Sequence, residues 1–245
     1  MTSQDELAAS LLAGISGQVE QVLGSVGRVG EATVAIVTAA RAAGRAPRRG
    51  DLAALRPLVA EVLRQHQGFA AGAGVVLAPD VLADAPLCIE WWWARQGLEK
   101  LEVDLDPESA EFYDYTTMEW YREPQRTGEH SVAGPYVDYI CTHEYTFTVS
   151  APVVCAGRFA GVAAADILAE QVERMVLPGL SRLGRPAVLA SGDGRVIASN
   201  TASILPGMVL SSRDADTGLR PGPGLAAVRP GNPRTALPWT LHSQG

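Results

Sequence analysis

The segment from Glu144 to Asp166 constrains the fold more than any other part of the chain. Tyr145, Phe147 and Val149 alternate with Thr146, Thr148 and Ser150, so a strand here puts apolar groups on one face and hydroxyls on the other. Ala156-Gly157 supplies a turn, and Arg158–Asp166 returns as a second strand. An isolated hairpin of this kind is marginal in water. It needs neighbouring strands and a layer over its apolar face.

The flanking sequence offers both. Gly74–Leu77 is a short apolar run ended by Pro79, Leu87–Trp93 is rich in large rings, and Leu98–Leu105 and Tyr136–Ile140 read as further strands. Pro107 and Glu108 open a short helix over FYDYTTMEWY, and Leu168–Leu183 reads as a helix ending before Pro186. Ala187–Ala190 and Val196–Ser199 flank Asp193-Gly194, a type I′ hairpin signal. After a Gly/Pro-rich stretch from Asp214 to Pro238, Trp239–His242 reads as a last edge strand. Sequential, hairpin-linked strands predict an α+β fold, an antiparallel sheet flanked by helices.

A long helix precedes this sheet. From Glu6 to Ala43 the residues Leu12, Ile15, Val19, Val22, Val26 and Val29 alternate steps of three and four, and Thr33 and Ile36 continue the register. Gly14, Gly17, Gly24, Gly27 and Gly30 weaken it, each by about 1 kcal/mol relative to alanine. Such a helix needs a partner, either its own domain or a second copy in a dimer stalk. Pro47 and Gly50 break it, Asp51 caps a second helix carrying Leu55, Val59, Val62 and Leu63, and Pro57 marks a restart within that span. The expected organisation is a helical arm over residues 1–50 and a ligand-binding domain over residues 51–245.

Composition narrows the function. A net charge of −7, with Lys100 the sole lysine, weighs against nucleic acid and anionic membranes as partners. The N-terminus has no basic leader, and no uninterrupted apolar run approaches the ~18 residues of a membrane span, so a cytoplasmic setting is expected. Cys88, Cys141 and Cys155 lack CxxC spacing and read as buried reduced thiols. His130, Asp138, His143 and Glu144 lack the HxxxH or HExxH spacing of a metal site. Ser191-Gly192-Asp193-Gly194 is no nucleophile elbow, and Gly24, Gly27 and Gly30 lie in a helical seam and not after a strand. Neither an enzyme nor a cofactor is expected.

What remains is aromatic and acidic. Phe112, Tyr113, Tyr115, Trp120 and Tyr121 crowd one short span, and Asp138 and Asp166 each stand in a strand. Two carboxylates repel unless a cation sits between them, and aromatic faces add about 0.5–2 kcal/mol each for a desolvated cation. The pattern points to a pocket for a small cationic ligand. At this level alternatives stay open: Asp138 can cap a turn, Asp166 can cap the following helix, and Trp91–Trp93 can be pocket wall or plain core.

The order of Gly134-Pro135-Tyr136-Val137-Asp138, Val149-Ser150-Ala151-Pro152-Val153 and Gly161-Val162-Ala163-Ala164-Ala165-Asp166-Ile167 resembles the Cache (extracellular PAS-like) sensor domains of bacterial receptors. The resemblance covers about Ala70 to Val209 and implies a PAS-like antiparallel sheet behind a long N-terminal helix. Amino-acid receptors of that family resemble one another in a tyrosine, four residues, an arginine, any residue, then Trp-Tyr. Tyr113 and Trp120-Tyr121 match, and Asp138 and Asp166 match the carboxylates that hold the ligand's ammonium. Met118 stands at the arginine position, and a thioether cannot grip a carboxylate through a bidentate fork.

The altered motif implies a sensor for a small amine or quaternary ammonium. The lack of an apolar span makes a stand-alone intracellular protein the expectation, unlike the mostly extracellular domains of that family. The ligand-binding set is Tyr113, Met118, Trp120, Tyr121, Tyr136, Asp138 and Asp166. The alternatives are an amino-acid-binding protein with a substitute carboxylate anchor, or a lyase or hydrolase using the Asp pair. Expected partners are the cationic ligand, a second copy of the chain, and a separate transcriptional or transport protein.

Overall fold

The computed structural model describes residues 3–94, 97–137, 145–210, 219–221, 237 and 239–244. Helix α1 (Ser3–Ala42) runs across β5 (Tyr145–Cys155) and β6 (Arg158–Leu168). Its seam residues Leu12, Ile15, Val19, Val22, Val26 and Val29 are at most 1% exposed and share one core with Val149, Val153 and Ala163. Of the two partners left open for this helix, the seam takes its own domain. A Cβ on Gly30 would lie 3.5 Å from Val153 and 3.6 Å from Ala163, so the helix backbone rests close on the sheet. Helix α1 is also long enough to cross a membrane and holds an 18-residue stretch of mean hydropathy 1.3, although no uninterrupted apolar run of that length occurs in it.

A 3-10 turn (Arg49–Leu55) and α2 (Arg56–Gln65) follow, with Pro57 in the first turn of α2, where its missing N–H leaves no bond unmade. Among the described residues, β1 (Ala70–Leu77), β2 (Cys88–Ala94), β3 (Leu98–Lys100) and β4 (Ser131–Val137) join β5 and β6 in a six-stranded antiparallel sheet of order β3-β2-β1-β6-β5-β4. The strand expected to reach Leu105 stops at Lys100.

After β6, α4 (Ala169–Arg182) buries Val172, Val176 and Leu180 and carries the chain about 21 Å away. The hairpin β7 (Ala187–Ala190) and β8 (Val196–Ser199) therefore does not extend the first sheet. It seeds a second antiparallel sheet of order β8-β7-β10-β9, with β9 (Leu219–Pro221) and β10 (Thr240–Gln244). The N-cap of α4 is Leu168, without a side-chain cap bond, so Asp166 lies inside β6 and does not cap the helix.

The two faces of the large sheet differ. Ala73, Val75, Leu77, Trp92, Phe147, Val149, Ala163 and Ala165 face α1 and the main core. Val76, Ile89, Trp91, Trp93, Val162 and Ala164 face the other way, under a 3-10 turn (Tyr115–Thr117) and α3 (Glu119–Thr127). Cys88 and Cys155 are buried free thiols, and burial pushes Cys88 up to about 11; Cys141 lies outside the described residues.

Candidate functional site

The site is built on one row of the sheet, where Trp93, Gly72, Asp166, Thr148 and Ala133 stand opposite one another across five strands. Gly72 makes the row possible. A Cβ there would stand 2.6 Å from Trp91 Nε1 and 2.7 Å from the Trp93 ring, so both indoles lie down on the strand only because that side chain is missing. Their ring centroids are 6.2 Å apart with planes at 57°.

Beside Gly72, Asp166 is 6% exposed. Thr148 Oγ1 donates to Asp166 Oδ1 at 2.6 Å, and the Tyr136 hydroxyl is hydrogen-bonded to Thr148 Oγ1. A hydroxyl has one proton, so Thr148 donates onward to Asp166 and Tyr136 donates to Thr148. The relay orients the carboxylate as an acceptor.

Two buried hydroxyls hold the covering layer in place. Ser150 Oγ donates to the Trp120 carbonyl at 2.7 Å, fixing α3 over β5. Tyr115 OH donates to the Leu77 carbonyl at 2.7 Å and accepts from the Cys88 N–H at 3.3 Å, pinning the 3-10 turn to the ends of β1 and β2. Burial raises the Tyr115 phenol far above its ordinary value. Between sheet and cover lies a cavity of about 380 Å³, counting its open mouth. Val76, Ile89, Trp91, Thr148 and Asp166 form its floor, and Leu101, Tyr113, Trp120 and Tyr136 its walls.

Residues 58–174 match the family described as "Methyl-accepting chemotaxis protein-like, first PDC sensor domain". The solved structure of "Methyl-accepting Chemotaxis protein X" is 17% identical with a TM-score of 0.67, covering 99% of this chain and 96% of that one. The fold is that of a PDC, or Cache, sensor domain. The ligand-binding domain of the Pseudomonas aeruginosa PAO1 amino acid chemoreceptor PctC, in complex with GABA, is 18% identical over 99% of both chains, with a TM-score of 0.58. That of the Pseudomonas fluorescens chemoreceptor CtaA, in complex with L-valine, is 14% identical over 99% of this chain and 94% of that one, with a TM-score of 0.56. No curated protein matches the sequence.

Within this fold, Tyr113, Trp120, Tyr136 and Asp166 border the cavity. Met118 and Tyr121 do not. Met118 is the N-cap of α3 and packs, partly buried, behind the aromatic wall. Tyr121 is 1% exposed, edge-on to Tyr115 and Phe159 at 5.4 Å each, and burial pushes its phenol up to about 12. Neighbouring helical residues point about 100° apart, so Trp120 and Tyr121 cannot both face the cavity. Asp138 lies outside the described residues.

The run of tryptophans divides: Trp91 borders the cavity, Trp93 lies beside it, and Trp92 belongs to the main core. Thr148 escaped the sequence reading of the site, although its place on the hydroxyl face of β5 was the available signal. A second buried carboxylate, Glu90, 1% exposed, sits on the opposite face and pairs with Lys100 at 2.6 Å, so it takes no part in the cavity. Among the described residues, no His/Cys/Asp/Glu cluster is placed to hold a metal ion.

Proposed function

We propose that this protein is a non-enzymatic sensor domain that binds a small amine or quaternary ammonium ion against Asp166. The observation that carries this reading is the lining: among the described residues, Asp166 is the one charged side chain bordering the cavity. Nearly all the rest is aromatic or aliphatic. A buried carboxylate is costly unless it meets a cation or donors. The faces of Trp91, Tyr113, Trp120 and Tyr136 suit a desolvated cation. In the proposal Asp138 supplies the second carboxylate, while Met118 and Tyr121 support Trp120 from behind, the Tyr121 and Trp120 rings being 6.3 Å apart.

The GABA of PctC and the L-valine of CtaA both carry an ammonium group, which supports a cationic end for the ligand here. Both also carry a carboxylate, which motivates the second reading, an amino acid with a substitute anchor. Against it, the described lining offers no arginine or lysine. Calorimetry with each amine beside its carboxylated counterpart separates the two. Tighter binding of the amines is expected, and tighter binding of the amino acids would overturn the amine reading. The cytoplasmic setting, self-association and a separate output partner are further parts of the proposal. Cell fractionation and light scattering test the first two; recovery of the protein outside the cell, or a monomer at working concentration, would remove them.

A further inference from the structure

We infer that the ligand also carries a neutral oxygen acceptor, a hydroxyl, ether or carbonyl, two or three carbons from its cationic nitrogen, and that Trp91 Nε1 donates to it. This inference rests on the amine reading of the cavity and adds the second half of the ligand.

Trp91 is 5% exposed, borders the cavity, and its indole Nε1 is buried without a hydrogen-bond partner. Leaving a buried donor unpaired costs about 1–3 kcal/mol, and most buried polar groups in native proteins have a partner. An indole N–H is a donor only, so whatever satisfies it must be an acceptor.

The position of the donor limits that acceptor. Nε1 lies 2.6 Å from where a Gly72 Cβ would stand, and Gly72 is directly opposite Asp166 in the β1–β6 pair. Opposed Cβ positions are about 5 Å apart, so the donor lies roughly one strand spacing from the carboxylate, at the edge of a residue that borders the cavity. A ligand bridging them offers its nitrogen to Asp166 and an acceptor to Trp91 within the span of a few bonds.

Charge decides the kind of acceptor. A ligand carboxylate at Trp91 would lie within a few ångströms of Asp166 and be repelled, with only a neutral N–H to hold it. A hydroxyl, ether or carbonyl takes the same hydrogen bond without that repulsion. The floor therefore selects amino alcohols and related amines over both plain alkylamines and amino acids.

The test is calorimetry on the full chain with 3-aminopropanol, butylamine and γ-aminobutyrate, the first two matched in length with a methyl replacing the hydroxyl. The intact protein is expected to bind the amino alcohol about tenfold tighter than butylamine. Trp91→Phe, which keeps a ring and removes the N–H, is expected to bind the two equally, whatever the change in their common affinity. Equal affinities in the intact protein, or a Trp91→Phe variant that keeps the preference for the amino alcohol, overturn the inference and leave the amine reading standing. If neither amine binds and γ-aminobutyrate does, the amine reading itself fails and the inference with it. The comparison in the intact protein needs no variant, so poor folding of Trp91→Phe leaves the test decisive.

Discussion

The two faces of the six-stranded sheet are made by alternate residues of the same strands, yet they differ in kind. Toward α1, Val75, Phe147, Val149, Ala163, Ala165 and Ile167 are at most 1% exposed and meet an aliphatic helical seam. The buried carboxylate on that side, Glu90, is paired with Lys100. Toward the cavity stand Asp166 and Thr148, two indoles resting on a glycine, and the buried donors Trp91 Nε1 and Tyr121 OH without partners. One face is packed almost wholly by aliphatic and aromatic groups; the other borders the cavity. Substitutions on the first should therefore change unfolding, and substitutions on the second should change binding.

The largest expected effect is on the helix side. Phe147, fully buried with its ring 4.8 Å from that of Trp239, should cost about 3–5 kcal/mol of stability as Phe147→Ala in urea unfolding. A loss below about 1 kcal/mol would break the contrast at once. Next, Asp166→Asn should weaken binding of a small amine by at least about thirtyfold, a change on the order of 2–5 kcal/mol. Unfolding of the ligand-free protein should change by less than about 1 kcal/mol, since a desolvated charge is removed. If the free protein instead loses as much as with Phe147→Ala, Asp166 is a structural residue.

A glycine pair sharpens the comparison. Gly72→Ala places a methyl 2.6 Å from Trp91 Nε1 and should cost about 1–3 kcal/mol along with ligand affinity. Gly24→Ala, on the open side of α1 with nothing within 4 Å, should stabilise by up to about 1 kcal/mol. Thermal unfolding of the two variants side by side measures both signs. Thr148→Val removes the donor to Asp166 while keeping the shape, and a two- to tenfold loss of amine affinity is expected.

The smallest effect is a pH dependence on the helix side. His66 Nε2 lies 2.8 Å from Ser25 Oγ between α2 and α1, and burial, aided by Arg28, lowers its pKa from 6.5. The folded protein then binds this proton less readily than the unfolded chain. Its contribution to stability is complete above pH 6.5 and is lost as the pH falls from there through the folded value. Urea unfolding at pH 7.5 and 5.5 should show lower stability in acid, and His66→Gln should flatten part of that slope. His130 and His242, also lowered by burial, add to the slope in the same direction. A His66→Gln slope equal to that of the intact protein would remove His66 from the explanation.

Several of these features were open to reading in the chain. The period-two phase of Tyr145–Ser150 separates Phe147 and Val149 from Thr148 and Ser150, and the structure keeps that division. The seam of α1 was equally plain, but its partner was not, because an apolar stripe fits a sheet as well as a second helix. Tyr113, Trp120, Tyr136 and Asp166 were named as candidates from a motif order, and all four border the cavity. Three consecutive tryptophans suit either strand phase, so nothing local says that Trp92 turns to the core while Trp91 and Trp93 turn to the site.

Alternation, turns and helix seams are properties of residues a few positions apart, and for that reason the amino-acid order alone carries the α+β class, the hairpins and the aromatic, acidic character of the site. Which ring becomes wall and which becomes core depends on contacts between residues far apart in the chain. Gly72 lies 94 positions before Asp166, and their pairing sets the floor on which Trp91 rests. Ser150 reaches back 30 positions to the Trp120 carbonyl, and that bond turns Trp120 toward the cavity and Tyr121 away from it. The division of the strands into two sheets is equally non-local, since it follows from where α4 sets the chain down. Strand register and helix docking are collective minima of packing over the whole domain, and no local window of sequence contains them.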